Sequence, residues 1–111
     1  MDEEYVEAVL TMVEAVPTGR VTTYGAIAAA VGRGGPRQVG HTMALHGGGV
    51  PWWRVVRADG SLPDFKDPRR LEEYRVEGTP LRPSGTVDMV TAFWDPVEHE
   101  GGVASPGLHR N

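Results

Sequence analysis

Cysteine is absent from the 111-residue chain. That excludes a disulfide framework, a thiolate metal site and a thiol nucleophile. No apolar run approaches the length needed to span a membrane. The first residues, Met1-Asp2-Glu3-Glu4, are acidic and lack the basic and apolar regions of a signal peptide, so a cytoplasmic protein is expected. No internal repeat is visible. Acidic residues are missing from one long window: between Glu14 and Asp59 there is none, while Arg20, Arg33, Arg37, Arg54 and Arg57 fall there with His41 and His46. The net charge of -4 therefore hides a basic middle between acidic flanks. Such a middle suits a nucleic-acid-binding face on an acidic body, and equally a basic patch of no consequence.

What is present is enough for one domain. Hydrophobic residues make up 40% and charged residues 23% of the chain, ordinary values for a globular protein with a modest core. Asp2 can cap a helix over 3–16, in which Val6, Val9, Leu10, Val13 and Val16 recur at helical spacing. Pro17-Thr18-Gly19 ends it. A short extended piece, Arg20 to Gly25, leads into an Ala-rich helix from Ala26 to Val31, with Gly32 as its stop. Arg33-Gly34-Gly35 connects to a third helix over 36–46, Pro36 near its first turn. Its core residues are expected to be Val39, Met43 and Leu45, with Arg37, Gln38, His41 and Thr42 outside. Two short helices joined by a glycine-containing turn form a helix-turn-helix.

The chain then reaches Val50-Pro51-Trp52-Trp53-Arg54-Val55-Val56, followed by the turn Ala58-Asp59-Gly60-Ser61. On an extended segment folded back as a β-hairpin, adjacent Trp side chains point to opposite faces, so one is in the core and the other lines a cleft or meets water. A second capped helix is expected over 68–76, with Asp67 as cap, Pro68 at its first position, Leu71 and Tyr74 inward and Gly78 at its end. Order should return over Val87 to Trp94. Residues 1–95 form the domain and 96–111, rich in Gly, Pro, His and Ser, a frayed tail.

The Trp pair carries a resemblance. Val50-Pro51-Trp52-Trp53-Arg54-Val55-Val56 resembles the Pro-Cys-His-Arg-Val segment of the O6-alkylguanine-DNA alkyltransferases, with Trp52 in place of the acceptor Cys and Trp53 in place of the His. A Trp at the Cys position is the mark of the alkyltransferase-like proteins. Val16 to Gly25 is similar to the segment opening that family's helix-turn-helix, and Arg37-Gln38-Val39-Gly40 to the start of its recognition helix. The match spans Val16 to Gly78 in family order. The family's Asn near the glycine loop Gly47–Gly49 has no match, its His is replaced, and Phe65 stands where some members carry an Arg near the pocket mouth.

The resemblance implies a fold that is mainly α with a small β-hairpin, a winged-helix-like domain of the alkyltransferase C-terminal type. It implies a non-enzymatic sensor that docks in the minor groove of duplex DNA, flips O6-alkylguanine out of the stack and passes the lesion to nucleotide excision repair proteins. Tyr24, Val50, Pro51, Trp52, Trp53 and Arg54 would form the lesion pocket. Thr23, Tyr24, Pro36, Arg37, Gln38, Gly40 and His41 would contact DNA, with Arg37 filling the vacated stack and Tyr24 crowding the phosphate. No catalytic residue, metal or cofactor is expected, and a monomer is the default. The rival reading is a winged-helix DNA-binding or protein-interaction domain without lesion specificity.

Overall fold

Asp2 begins the first helix as its residue type predicts: its carboxylate accepts from the Tyr5 N–H at 2.7 Å. Helix α1 runs Glu3–Ala15, with Glu3 and Glu4 in its first turn, where the helix dipole favours negative charge. A computed structural model describes residues 2–64 and 67–99 of the chain. The buried face of α1 is Tyr5, Val9 and Val13, with Val16 just beyond its end. Val6 and Leu10, read as central to the apolar stripe, lie half-buried at its margin. Tyr5 takes the inner position because its ring removes more apolar surface from water than a valine does.

Strand β1 (Thr22–Thr23) leads directly into α2 (Tyr24–Val31), capped by the Thr23 hydroxyl, which accepts from the Ala26 N–H at 3.0 Å. The left-handed Gly32 closes α2. Helix α3 is Pro36–His46. Two expectations for α3 are corrected. Thr42 is fully buried, its hydroxyl donating back to the Gln38 carbonyl at 3.0 Å, which satisfies the polar atom inside the core. Leu45 is 62% exposed, because at ~100° per residue it sits about 120° round the helix from Val39.

The Trp pair is not on a strand. After a 3₁₀ turn at Gly47–Gly49, Trp52–Arg54 forms another, and strand β2 is confined to Val55–Val56. The expected hairpin is also corrected, for β2 pairs parallel with β1, Thr22 opposite Val55 and Thr23 opposite Val56. The tight turn itself exists, with the Gly60 N–H donating to the Arg57 carbonyl at 2.8 Å. It closes with the Arg57 N–H donating to the Ser61 carbonyl at 3.2 Å, and the Gly60 carbonyl is taken by the Val87 N–H at 2.9 Å. Among the described residues the antiparallel pairing is a single bridge, Leu81 to Val87.

This small sheet divides two cores. Val55 packs with Tyr5, Val9, Val13, Ile27, Val39 and Val50, while its neighbour Val56 packs with Val21, Leu62, Tyr74, Val87 and Ala92. Successive strand residues point to opposite faces, so two residues suffice to join both layers. Helix α4 (Pro68–Glu77) has Asp67 accepting from the Arg69 N–H, Pro68 in its first turn and Gly78 at its end. Short helices α5 (Met89–Ala92) and α6 (Pro96–His99) follow, and α6 packs on α2. The segment read as tail thus begins with a helical turn, and 100–111 lie outside the described residues.

Gly60 is the tightest point of this arrangement. Its φ is 86°, and a Cβ there would lie 2.5 Å from the Val87 carbonyl oxygen. Gly60→Ala is expected to cost about 2 kcal/mol or more, from left-handed strain plus the backbone clash. Thermal denaturation followed by circular dichroism checks this; an unchanged midpoint would contradict it.

Candidate nucleic-acid interface

The outward side of α3 and the wall opposite it form the candidate site. Arg37, Gln38 and His41 are exposed on α3, and Pro36 sits at its first position. Thr23 is buried as the cap of α2. Tyr24 and Gly40 face each other: a Cβ at Gly40 would meet the Tyr24 ring at 3.9 Å, ordinary van der Waals contact. A glycine in mid-helix costs up to about 1 kcal/mol relative to alanine. Among the described residues no contact requires it here.

A cavity of about 380 Å³ opens beside this helix, lined by Tyr24, Gly40, Met43, Trp52, Asp64 and Arg70 among others. Burial raises the pKa of the Tyr24 phenol, against the opposing effect of the Arg70 charge. Two guanidinium groups lie near the Trp52 ring, Arg69 at 5.4 Å and Arg70 at 5.3 Å from its centroid. Asp64 spends one carboxylate oxygen on the Arg70 Nε at 2.8 Å; the other, Oδ1, is buried without a hydrogen-bond partner among the described residues.

Of the residues expected to line a pocket, Tyr24 and Trp52 do so. Val50 is in the first core and Pro51 caps the 3₁₀ turn. Trp53 and Arg54 turn away from the cavity toward α4. The two indoles meet edge-on, 5.5 Å apart at 84°. Trp53 donates its Nε1–H to the Glu77 carboxylate at 2.8 Å. Arg54 makes an ion pair with the same carboxylate at 2.6 Å and also donates to the Val16 carbonyl and the Thr18 hydroxyl. Glu77 completes the node by accepting the Gly19 N–H at 2.9 Å. Phe65 lies outside the described residues.

Two functional supports escaped the sequence reading. Arg70 is 3% exposed and donates to the carbonyls of Trp53 and Val55 and to the Tyr74 hydroxyl, which itself donates to the Trp53 carbonyl at 2.6 Å. Glu77 is the other. The signal was there: Arg70 and Glu77 lie four before and three after Tyr74 and share its face of the helix. Once Tyr74 is placed inward, so are they.

The arginines of the acid-free window separate by partner. Arg20 donates to the carbonyls of Ala92 and Phe93, Arg33 pairs with Asp2, and Arg54 pairs with Glu77. Arg37 and Arg57 form no ion pair with a described residue and are exposed.

Known proteins place this geometry in context. The family model described as 6-O-methylguanine DNA methyltransferase, DNA binding domain, matches residues 4–77. The chain is 32% identical over 101 residues to a DNA base-flipping protein of Escherichia coli (strain K12), covering 85% of this chain and 77% of that one. It is 39% identical over 87 residues to Alkyltransferase-like protein 1 of Schizosaccharomyces pombe, covering 69% and 80% respectively. The crystal structure of S. pombe Atl1 in complex with damaged DNA containing O6-carboxymethylguanine superimposes with a TM-score of 0.73 at 30% identity, over 86% of this chain and 99% of that chain.

Protonation of Glu77 tests the node beneath the site. Burial resists its ionisation, but the Arg54 guanidinium, the Gly19 N–H and the Trp53 N–H together hold its pKa below the ordinary 4.5. A carboxyl with a depressed folded pKa stabilises the fold above its unfolded pKa and loses that contribution as pH falls through the folded value. Stability should therefore decline as pH drops below about 4.5. Glu77→Gln should cost about 2–4 kcal/mol at neutral pH and flatten that acid limb. Urea titrations from neutral pH to pH 3 read both effects; parallel pH profiles for the two proteins would refute the assignment.

Proposed function

The chain belongs to the family of the 6-O-methylguanine DNA methyltransferase DNA-binding domain, and on that premise we propose that it is a non-enzymatic sensor that binds O6-alkylguanine in duplex DNA and flips it into the cavity beside α3. The observation that carries the reading is the Trp52 indole on the cavity wall, across from Tyr24 and the recognition helix. A flipped purine has two apolar faces and an O6-alkyl group is apolar, so an aromatic wall stabilises both by stacking and burial. The cavity volume of about 380 Å³ is within the range of small-ligand sites.

Turnover has no agent here. The chain contains no cysteine, and Trp52 occupies the position of the family's acceptor. Trp53 stands where the family has the His that activates it. An indole N–H donates and cannot take up a proton, and this one is already committed to Glu77. The lesion would instead be held, and the complex presented to nucleotide excision repair in the cytoplasm.

A base inside a duplex hides its edges in the stack, so inspection requires extrusion. In this reading Arg37, exposed at the start of α3, enters the vacated space, and Tyr24 crowds the adjoining phosphate. Gln38 and His41 lie on the same helix toward the DNA. Gly40 keeps the helix surface low enough for close backbone approach in the minor groove, which accounts for a glycine that no contact among the described residues requires.

Fluorescence-anisotropy titration of one duplex with guanine and the same duplex with O6-methylguanine tests the proposal. Wild type should prefer the lesion, and Tyr24→Ala and Arg37→Ala should lose that preference while remaining folded. Equal binding of both duplexes by wild type would leave a helix-turn-helix domain without lesion specificity. Gly40→Ala should move two quantities in opposite directions. Its fold should gain about 0.5–1 kcal/mol from helix propensity, while its affinity for DNA falls.

A further inference from the structure

Next to the lesion cavity, and sharing Tyr24, Gly40 and Pro63 with it, is a second cleft of about 640 Å³. Its remaining lining is Pro36, Arg37 and Arg57. No carboxylate lines it, in contrast to the first cavity, where Asp64 and Asp67 take part. The two arginines of the acid-free window that have no ion-pair partner among the described residues thus converge on one cleft. They arrive from different elements, Arg37 from α3 and Arg57 from the turn after β2. Arg57 is held only loosely, by a contact of 3.5 Å to the Leu62 carbonyl. It is also close enough to Tyr24 for its charge to act on the phenol.

We propose that this cleft is a phosphodiester-binding site, in which Arg57 holds the phosphate of the extruded nucleotide from the side opposite α3. The inference rests on the base-flipping reading above. If Arg37 enters the vacated stack, Arg57 is the cation left in the cleft. A guanidinium is suited to the task, because its planar donors match phosphate oxygens in pairs. The cleft adjoins the base cavity, so a nucleotide whose base lies against Trp52 brings its own phosphate past Tyr24 toward Arg57. A base still in the stack does not. The contact is therefore made on extrusion and contributes to lesion selectivity, unlike a phosphate contact along the groove, which all duplexes share.

Salt dependence separates these cases. Anisotropy titrations at a series of salt concentrations would use the O6-methylguanine duplex and its guanine counterpart, with wild type, Arg57→Ala and Arg57→Lys. For Arg57→Ala, affinity for the lesion duplex should fall about tenfold, and the slope of log K against log salt on that duplex should shrink by about one. On the undamaged duplex both should stay near wild type. Arg57→Lys should recover most of the slope. Circular dichroism should show all three folded alike, since Arg57 is exposed. An unchanged slope on the lesion duplex, or equal losses on both duplexes, would overturn the proposal. Wild type without lesion preference would instead count against base flipping itself, so the two failures are distinguishable.

Discussion

The arrangement of the site depends on one buried contact, the Arg70 guanidinium on the backbone of the Trp52–Arg54 turn. Arg70 Nη1 reaches the carbonyls of Trp53 and Val55 at 2.9 and 3.0 Å. A 3₁₀ turn has poor internal hydrogen-bond geometry and needs outside support. Here the inward stripe of α4 supplies it: Arg70 and Tyr74 grip the carbonyls of Trp53 and Val55, and Glu77 takes two of the turn's three side chains, Trp53 and Arg54. With Trp53 and the carbonyls so held, the Trp52 ring lines the cavity. A buried charge removed from such a network leaves its partners unsatisfied, so the candidate site rests on α4 as well as on α3.

Much of this was legible in the chain. The caps Asp2 and Asp67, the stops at Gly32 and Gly78, and the bounds of α3 follow from local rules, because each depends on neighbours within a turn. The sheet did not follow. Asp59-Gly60 reads as a hairpin turn, but β2 pairs with Thr22–Thr23 more than thirty positions earlier, and no local signal encodes a parallel partner. The Trp pair was misplaced for a related reason. Adjacent large residues near a β-branched pair look extended, and only Arg70 and Glu77, distant in sequence, reveal the turn. In α3, alternation of polar and apolar types misled at Thr42, whose hydroxyl is satisfied locally, and at Leu45, which is apolar and exposed.

Net charge was a poor guide to the basic window, and pairing was a better one. Three of its five arginines are consumed by the fold, tying α5, the start of α1 and the end of α4 to the rest of the molecule. The acidic flanks therefore neutralise part of the basic middle. The cationic character that survives lies in Arg37 and Arg57, and both border the same opening. A chain of net charge -4 can in this way present a locally basic face.

Several positions that depart from local rules border that opening. Gly40 weakens a helix that has room for alanine, Asp64 buries an oxygen with no partner among the described residues, Trp52 leaves an indole half exposed, and Arg37 and Arg57 have no ion-pair partner among them. The mid-helix glycine and the unpartnered Asp64 oxygen cost stability by themselves. Local inconsistencies scattered over a surface are ordinary, but a cluster of them is expected where a protein has kept surface open for something else. Elsewhere the Tyr5, Thr22 and Thr79 hydroxyls are also buried without a hydrogen-bond partner among the described residues, but the buried charges are bonded. Arg70 and Thr42 are buried with their polar atoms bonded, and Glu77 spends both oxygens. Around Trp52 the Asp64 oxygen and the arginines without an ion-pair partner leave hydrogen-bonding capacity that a bound ligand can take up.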